Sequence, residues 1–288
     1  MKTISFNLGG EVYRFDVENP LNIAIPLDFA GAQPNAYAVE KAQAAAYQTE
    51  NLIGDTRRGG SCNFERAKLI PHCNGTHTEC VGHITHERIS VHDCLKDAFT
   101  ITVLVTIKPE NARATDETYA VETKETDRLI TKKSLESALR DLENSNPRSA
   151  IRPPPSIIVR TLPNDARKLS KTYLEEIPPF FSTEAMLFLR ELEIKHLLVD
   201  APSIDRLFDE GKLPNHRIFW NVKQGSYETS GNSFTNRTIT ELIYVPDRIA
   251  DGVYLLNLQI APFASDAAPS RPVLFKQAKS EKRIVKSE

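Results

Sequence analysis

The chain has 288 residues, of which 40% are hydrophobic and 26% charged, with a formal net charge of −2. That length can bury a sizeable core, and the near-neutral balance excludes a global field that would draw in nucleic acid or anionic membrane. No apolar run approaches the roughly 20 residues of a membrane helix, and the start MKTISFNLGGEVYRF lacks the apolar core of a secretion signal. The expected location is the cytoplasm, where thiols stay reduced. The four cysteines therefore read as metal ligands or buried small groups rather than as a disulfide framework.

Residues 3–17 read as two strands around Gly9-Gly10, from the alternation in ISFNL and VYRFDV. LNIAIPLDF (21–29) reads as a strand broken at Pro26, and AGAQPNAYAVE as a loop with turn chemistry at Pro34-Asn35. The alanine-rich run near 40–47 suggests a short helix. IGDTRRGGSCN (53–63) is a glycine-rich loop without the Gly-Lys-Ser/Thr of a phosphate loop. FERAKLI leads as a strand into Pro71, and ISVHDC starts a helix or turn. FTITVLVTIK (99–108) is β-branched and unbroken, as in a strand buried on both faces.

ITKKSLESALRDLE has helical spacing, with Ser134 as its cap and Leu135, Ala138, Leu139 and Leu142 on one stripe. NSNPRSAIRPPP is a loop and SIIVRTL a strand. PNDARKLSKTYLEEIPPFFS is an irregular cover. STEAMLFLREL is an amphipathic helix capped by Ser182 or Thr183, with Glu184 in its first turn. IKHLLVDAPSIDR is a strand running into a loop with Asp200, Ser203 and Asp205, and NHRIFW opens a short helix or strand. After a polar insertion, ITELIYV, GVYLLNLQIAPF and PVLFKQ finish the sheet. The simplest organisation is one mixed α/β domain over residues 1–275 with a charged tail at 276–288.

Ligand chemistry concentrates in PHCNGTHTECVGHITHERISVHDC, from Pro71 to Cys94. It holds five of the seven histidines and three of the four cysteines. Cys73, His77 and Glu79 offer sulfur, nitrogen and oxygen donors at close spacing. Such a set suits zinc and leaves a position for water. His83 lies near enough in sequence to act beside the metal as acid or base. A structural zinc site from Cys62, Cys73, Cys80, Cys94 and nearby histidines is a further option, although no CxxC pair is present. A third is a thiol hydrolase with Cys73 as nucleophile and His77 or His83 as base.

Asn74-Gly-Thr-His77-Thr-Glu79 followed by His83 resembles the metal motif HxGTHxDxPxH of the cyclase-family metal hydrolases. That family includes bacterial kynurenine formamidase, an enzyme of tryptophan catabolism, and isatin hydrolase. Ile25-Pro-Leu-Asp28 resembles its substrate-facing N-terminal loop, and Gly54-Asp-Thr with Gly59-Gly60 its glycine-rich lead-in. Leu198-Val-Asp200-Ala-Pro-Ser203-Ile-Asp205 resembles its DAxSID segment. His216 and Thr240-Glu241-Leu242 resemble its later His and Glu, and Ser270-Arg-Pro-Val an SPAR-like close.

The resemblance implies a swivelling β/β/α fold with a mixed sheet and a homo-oligomer, dimer or tetramer. It also implies a small-molecule substrate and a divalent metal, zinc or manganese. His77 and Glu79 are implied as ligands, His83 as the catalytic acid or base, and His216 and Glu241 as further ligands or catalytic groups. The implied reaction is hydrolysis of a C–N bond in an aryl formamide, amide or lactam. The alternative is a non-catalytic small-molecule binding protein on the same fold. Two departures stand out. Cys73 falls where the family has its first histidine, with His72 one residue out of register, and Glu79 replaces an aspartate.

Other polar residues invite plainer readings. His86 and His92 match no family position and read as surface or supporting histidines, and His196 as structural. Asp200 and Asp205 read as loop-capping carboxylates. Trp220 reads as packing, and Arg57-Arg58 as a solvated loop or an attractor of carboxylates.

Overall fold

The computed structural model describes residues 2–8, 11–145 and 154–278. Gly9-Gly10, the middle of the 144–155 loop and most of the charged tail lie outside the described residues. A nine-stranded mixed sheet positions everything else. Its strands are β1 (Leu21–Asn22), β2 (His77–Glu79), β3 (Phe99–Ile107), β4 (Ser156–Thr161), β5 (His196–Val199), β6 (Thr238–Glu241), β7 (Gly252–Asn257), β8 (Ala267–Pro269) and β9 (Val273–Lys276). Across the sheet the order is β8-β2-β6-β5-β4-β3-β7-β9-β1. The middle four, β6 to β3, run parallel. The strands outside them pair antiparallel.

The parallel strands are apolar without a break because both faces are covered. On β3, Ile101, Val103, Val105 and Ile107 enter one core, while Leu104 enters the other. Ile157 and Val159 split from Ile158 in the same way, as do Leu197 and Val199 from Leu198. Each such side chain contributes about 1.5–3 kcal/mol by leaving water. After two short helices, α1 (Pro71–Asn74) and α2 (Val91–Cys94), helices α3 (Lys132–Ser145), α4 (Thr183–Glu191) and α5 (Pro214–Trp220) cover the first face with Leu135, Met186, Leu189, Phe219 and Trp220. The second face is closed by Ile23, Ile243, Val245 and Leu274.

Local structure departs from the sequence expectations at three places. The alanine-rich run forms no helix: Gln43–Ala46 is a strand paired antiparallel with Glu65–Lys68. Four residues of helix propensity are too few to outweigh pairing. The strand expected over 21–29 is confined to Leu21–Asn22 and a bridge from Ala24 to Ile243. Beyond it Pro26 has no donor, and the Ile25 N–H goes instead to Thr76 Oγ1 at 2.8 Å. The cap of α3 is Thr131 rather than Ser134. Thr131 Oγ1 accepts from Ser134 N at 3.1 Å, and Ser134 Oγ accepts from Thr131 N at 3.2 Å. This is the reciprocal arrangement of a capping box, with serine at the third helical position.

Other expectations match the described fold. Strands Thr3–Leu8 and Glu11–Asp16 pair antiparallel. Ser182 caps α4 by accepting from Ala185 N, and NHRIFW lies within the helix α5. Among the described residues no helix is long and apolar enough to cross a membrane.

Candidate metal centre

The site is built on β2. Strand periodicity places His77 and Glu79 on one face and Thr78 on the other. Register sets Glu241 of β6 directly opposite His77, and Ile239 opposite Glu79. Thr78 and Thr240 hydrogen-bond to each other at 2.8 Å on the far face, which fixes that register. On the other side β8 pairs with β2, Ala267 opposite Glu79, so Asp266 lies just beyond the end of the pairing. The Cys80 N–H donates to the Asp266 carbonyl at 3.0 Å.

Helix α1 (Pro71–Asn74) precedes β2 and has Pro71 in its first turn, where a missing N–H costs nothing. Its neighbours His72 and Cys73 project about 100° apart, so only one of them can face the cluster. The ring of His72 stacks on His83 with centroids 4.4 Å apart and lies 5.3 Å from His77. Its Nε2 is 3.4 Å from Glu79 Oε2 and 3.0 Å from Asp266 Oδ2. Cys73 is buried: burial, and then the charge of nearby Glu241, push its thiol up to about 11.

His83 sits on a 3-10 turn, Val81–Ile84, with Nε2 3.9 Å from Glu79 Oε2 and Nδ1 3.4 Å from Asp266 Oδ2. His216 enters from α5. Its Nδ1 is 2.6 Å from Asp205 Oδ2 and its Nε2 2.9 Å from Glu79 Oε1. Asp205 also accepts from Asn215 N, His216 N and the Tyr119 hydroxyl, so it both caps α5 and orients the ring. Glu241 Oε2 is 3.5 Å from His77 Nε2, while Oε1 accepts from Ile204 N at 2.8 Å.

Three groups of side chains are spaced to hold a cation: His77 with Glu79 and Glu241, Glu79 with His83 and His216, and His72 with His83 and Asp266. Cys73 is in none of them. His77 Nε2 and Glu79 Oε2 are buried without a hydrogen-bond partner, and buried His72 Nε2 lies 3.0 Å from Asp266 Oδ2 without the alignment of a hydrogen bond. An unmet buried polar atom costs about 1–3 kcal/mol, more when charged. Two ring nitrogens beside an unpartnered carboxylate oxygen are what a divalent cation would satisfy, so the donor set fits a metal.

Charge in the cluster is mutually arranged. Burial opposes the charge on Glu79, but His83, His216 and His72 outweigh it and hold its carboxyl well below the usual range. Burial likewise opposes protonation of His216, yet Glu79 and Asp205 raise its pKa well above that of ordinary imidazole. His72 is raised despite burial, chiefly by Asp266 and Glu79. Contacts with His72 and His83 hold Asp266 well below the usual carboxylate range.

Of the sequence candidates, His77, Glu79, His83, His216 and Glu241 come together, and Cys73 does not join them. Asp205 orients His216, a role the loop-capping reading omitted. Asp266 escaped the sequence reading altogether, because it lies 183 residues from His83 in no motif and is brought in only by the β8 pairing. Asp200 accepts from Thr161 N, Thr161 Oγ1 and Lys168 Nζ, which ties β4 to β5. His196 bonds Thr238 and Asp97, and His86 stacks on Tyr227. His92 is exposed. Trp220 is core, its Nε1 donating to the Arg237 carbonyl at 3.0 Å. Arg57 pairs with Asp55.

Comparison with known proteins gives a consistent family and fold. The family model described as "Putative cyclase" matches residues 15–206. Among solved structures, one described as a "predicted metal-dependent hydrolase" from Bacillus stearothermophilus is 16% identical, with TM-score 0.56 over 89% of this chain and 98% of that one. Isatin hydrolase A from Labrenzia aggregata, bound to benzyl benzoate, is 14% identical, with TM-score 0.58 over 90% and 94%. A structure described as a novel cyclase is 13% identical, with TM-score 0.59 over 91% and 90%. No curated protein matches the chain.

Proposed function

The chain belongs to the cyclase family, and from that premise we propose that it is a metal-dependent hydrolase. Its substrate is a small molecule with a C–N bond in an aryl formamide, amide or lactam, of the kind kynurenine formamidase hydrolyses. The observation that carries the reading is a set of three buried atoms that make no hydrogen bond, His72 Nε2, His77 Nε2 and Glu79 Oε2. They are donors in want of a cation.

In this reading His72, His77 and Glu79 hold a divalent ion, with Glu241 and His216 as further ligands or proton carriers. A nitrogen and oxygen set without thiolate suits zinc or manganese alike. The ion, when bound, polarises a scissile carbonyl and lowers the pKa of water toward about 7. His83 carries the proton. Its Nε2 faces the Glu79 carboxylate at 3.9 Å, on the side where the reacting groups would meet, and from there it can protonate the leaving nitrogen. Glu79 is one methylene longer than the family aspartate, about 1.5 Å of extra bond. Its reach puts Oε1 at His216 and Oε2 beside His72 and His83, where it would help hold the ion.

What supports His72 rather than Cys73 as ligand is the direction of the two side chains on α1. A single domain, a cytoplasmic location and a homo-oligomer belong to the same reading.

The test pairs elemental analysis with turnover of formanilide and isatin after zinc or manganese loading. His83→Ala is expected to abolish turnover and keep its metal. Loss of metal from a folded His83→Ala would make His83 a ligand. A wild type that binds no metal under any loading contradicts the hydrolase and favours a binding protein.

A further inference from the structure

We propose that Asp266 is a positioning residue that sets the tautomer of His83 and turns its Nε2 toward the metal centre. The inference rests on the hydrolase reading for the importance of His83, but not for the geometry. Asp266 is held from three directions. Its carbonyl accepts from Cys80 N, Ser265 Oγ donates to its Oδ1 at 3.1 Å, and β8 begins at the next residue. These contacts leave Oδ2 free to face inward.

Oδ2 there meets two ring nitrogens, His83 Nδ1 at 3.4 Å and His72 Nε2 at 3.0 Å. The two imidazoles are stacked, 27° apart in plane. A carboxylate oxygen only accepts, so the His83 nitrogen beside it carries the proton. That leaves the lone pair on Nε2, directed at the Glu79 side of the cluster. This is the logic by which a buried carboxylate fixes the tautomer of a catalytic or metal-bound imidazole.

The alternative is that Asp266, His72 and His83 together hold a second cation. The experiment separates the two. Full-length zinc-loaded protein is compared with Asp266→Asn and Asp266→Ala. Nitrogen-15 NMR of histidine-labelled protein reads the tautomer of His83, its signals assigned by their loss in His83→Gln. Elemental analysis reads zinc per chain.

Wild type and Asp266→Asn, which keeps an acceptor oxygen, are expected to hold the His83 proton on Nδ1. Asp266→Ala is expected to move it to Nε2 with zinc per chain unchanged. Where formanilide is turned over, kcat in Asp266→Ala should fall about a hundredfold with KM within about threefold. An unaltered His83 tautomer in Asp266→Ala overturns the proposal, as does loss of one zinc equivalent from both variants. A wild type that turns nothing over but shows the tautomer change supports the positioning role while contradicting the hydrolase reading.

Discussion

Glu79 accumulates more of the site's electrostatics than any neighbour. Its two oxygens meet His216, His72 and His83, and one of them has no hydrogen-bond partner. In metal-free protein this arrangement makes stability depend on pH in two directions. The raised pKa values of His72 and His216 mean that their contribution is complete below about pH 6.5, the unfolded value, and is lost as pH rises through the folded values. The lowered pKa values of Glu79 and Asp266 mean that theirs is present above about pH 4 and is lost as pH falls through the folded values. Protein in chelator should therefore melt at its highest temperature in mild acid and lose stability above neutrality. Metal-loaded protein should show the opposite slope above pH 6, since ligand imidazoles must be neutral. Thermal melts across pH, with and without zinc, check both slopes. Asp205 is a second residue-scale test. With its bond to His216 weakened, Asp205→Asn should reduce metal affinity by about 10–100-fold, measured by competition with a chromophoric chelator.

The elements explain why these side chains meet. A three-residue strand could not hold a metal site alone, but β2 is flanked on both edges, by β6 and β8. Each partner delivers a carboxylate, Glu241 and Asp266. The parallel strands behind it supply the rigid support. Ile157 on β4 is wholly buried between β3 and β5 in the larger core. Ile157→Ala should cost about 2–5 kcal/mol, read by urea unfolding. Zinc per folded chain should not change, because Ile157 belongs to the support and not to the cluster.

At the scale of the whole molecule, the sequence was most informative where one physical signal dominated. Nine apolar and β-branched residues made β3 legible, and the stripe from Leu135 to Leu142 made α3 legible. Residues 43–46 were misread because alanine reports propensity and the strand there is decided by a partner twenty residues on. Within the site, His77, Glu79 and His83 were legible because they share one short segment. His72 was ambiguous because a one-residue offset is decided by the rotation of α1, which spacing does not encode. Asp266 was invisible for the opposite reason, its place depending wholly on the pairing of β8 at the far end of the chain.

The ligand set proposed for the divalent ion is nitrogen and oxygen only, with His72 in the position where the spacing suggested Cys73. X-ray absorption at the zinc edge of the loaded protein tests it most directly. The expected first shell contains only nitrogen and oxygen near 2.0–2.1 Å, and it should be unchanged in Cys73→Ala and lose a histidine in His72→Ala. A sulfur shell near 2.3 Å that disappears in Cys73→Ala would instead make Cys73 the ligand and rule out this ligand set.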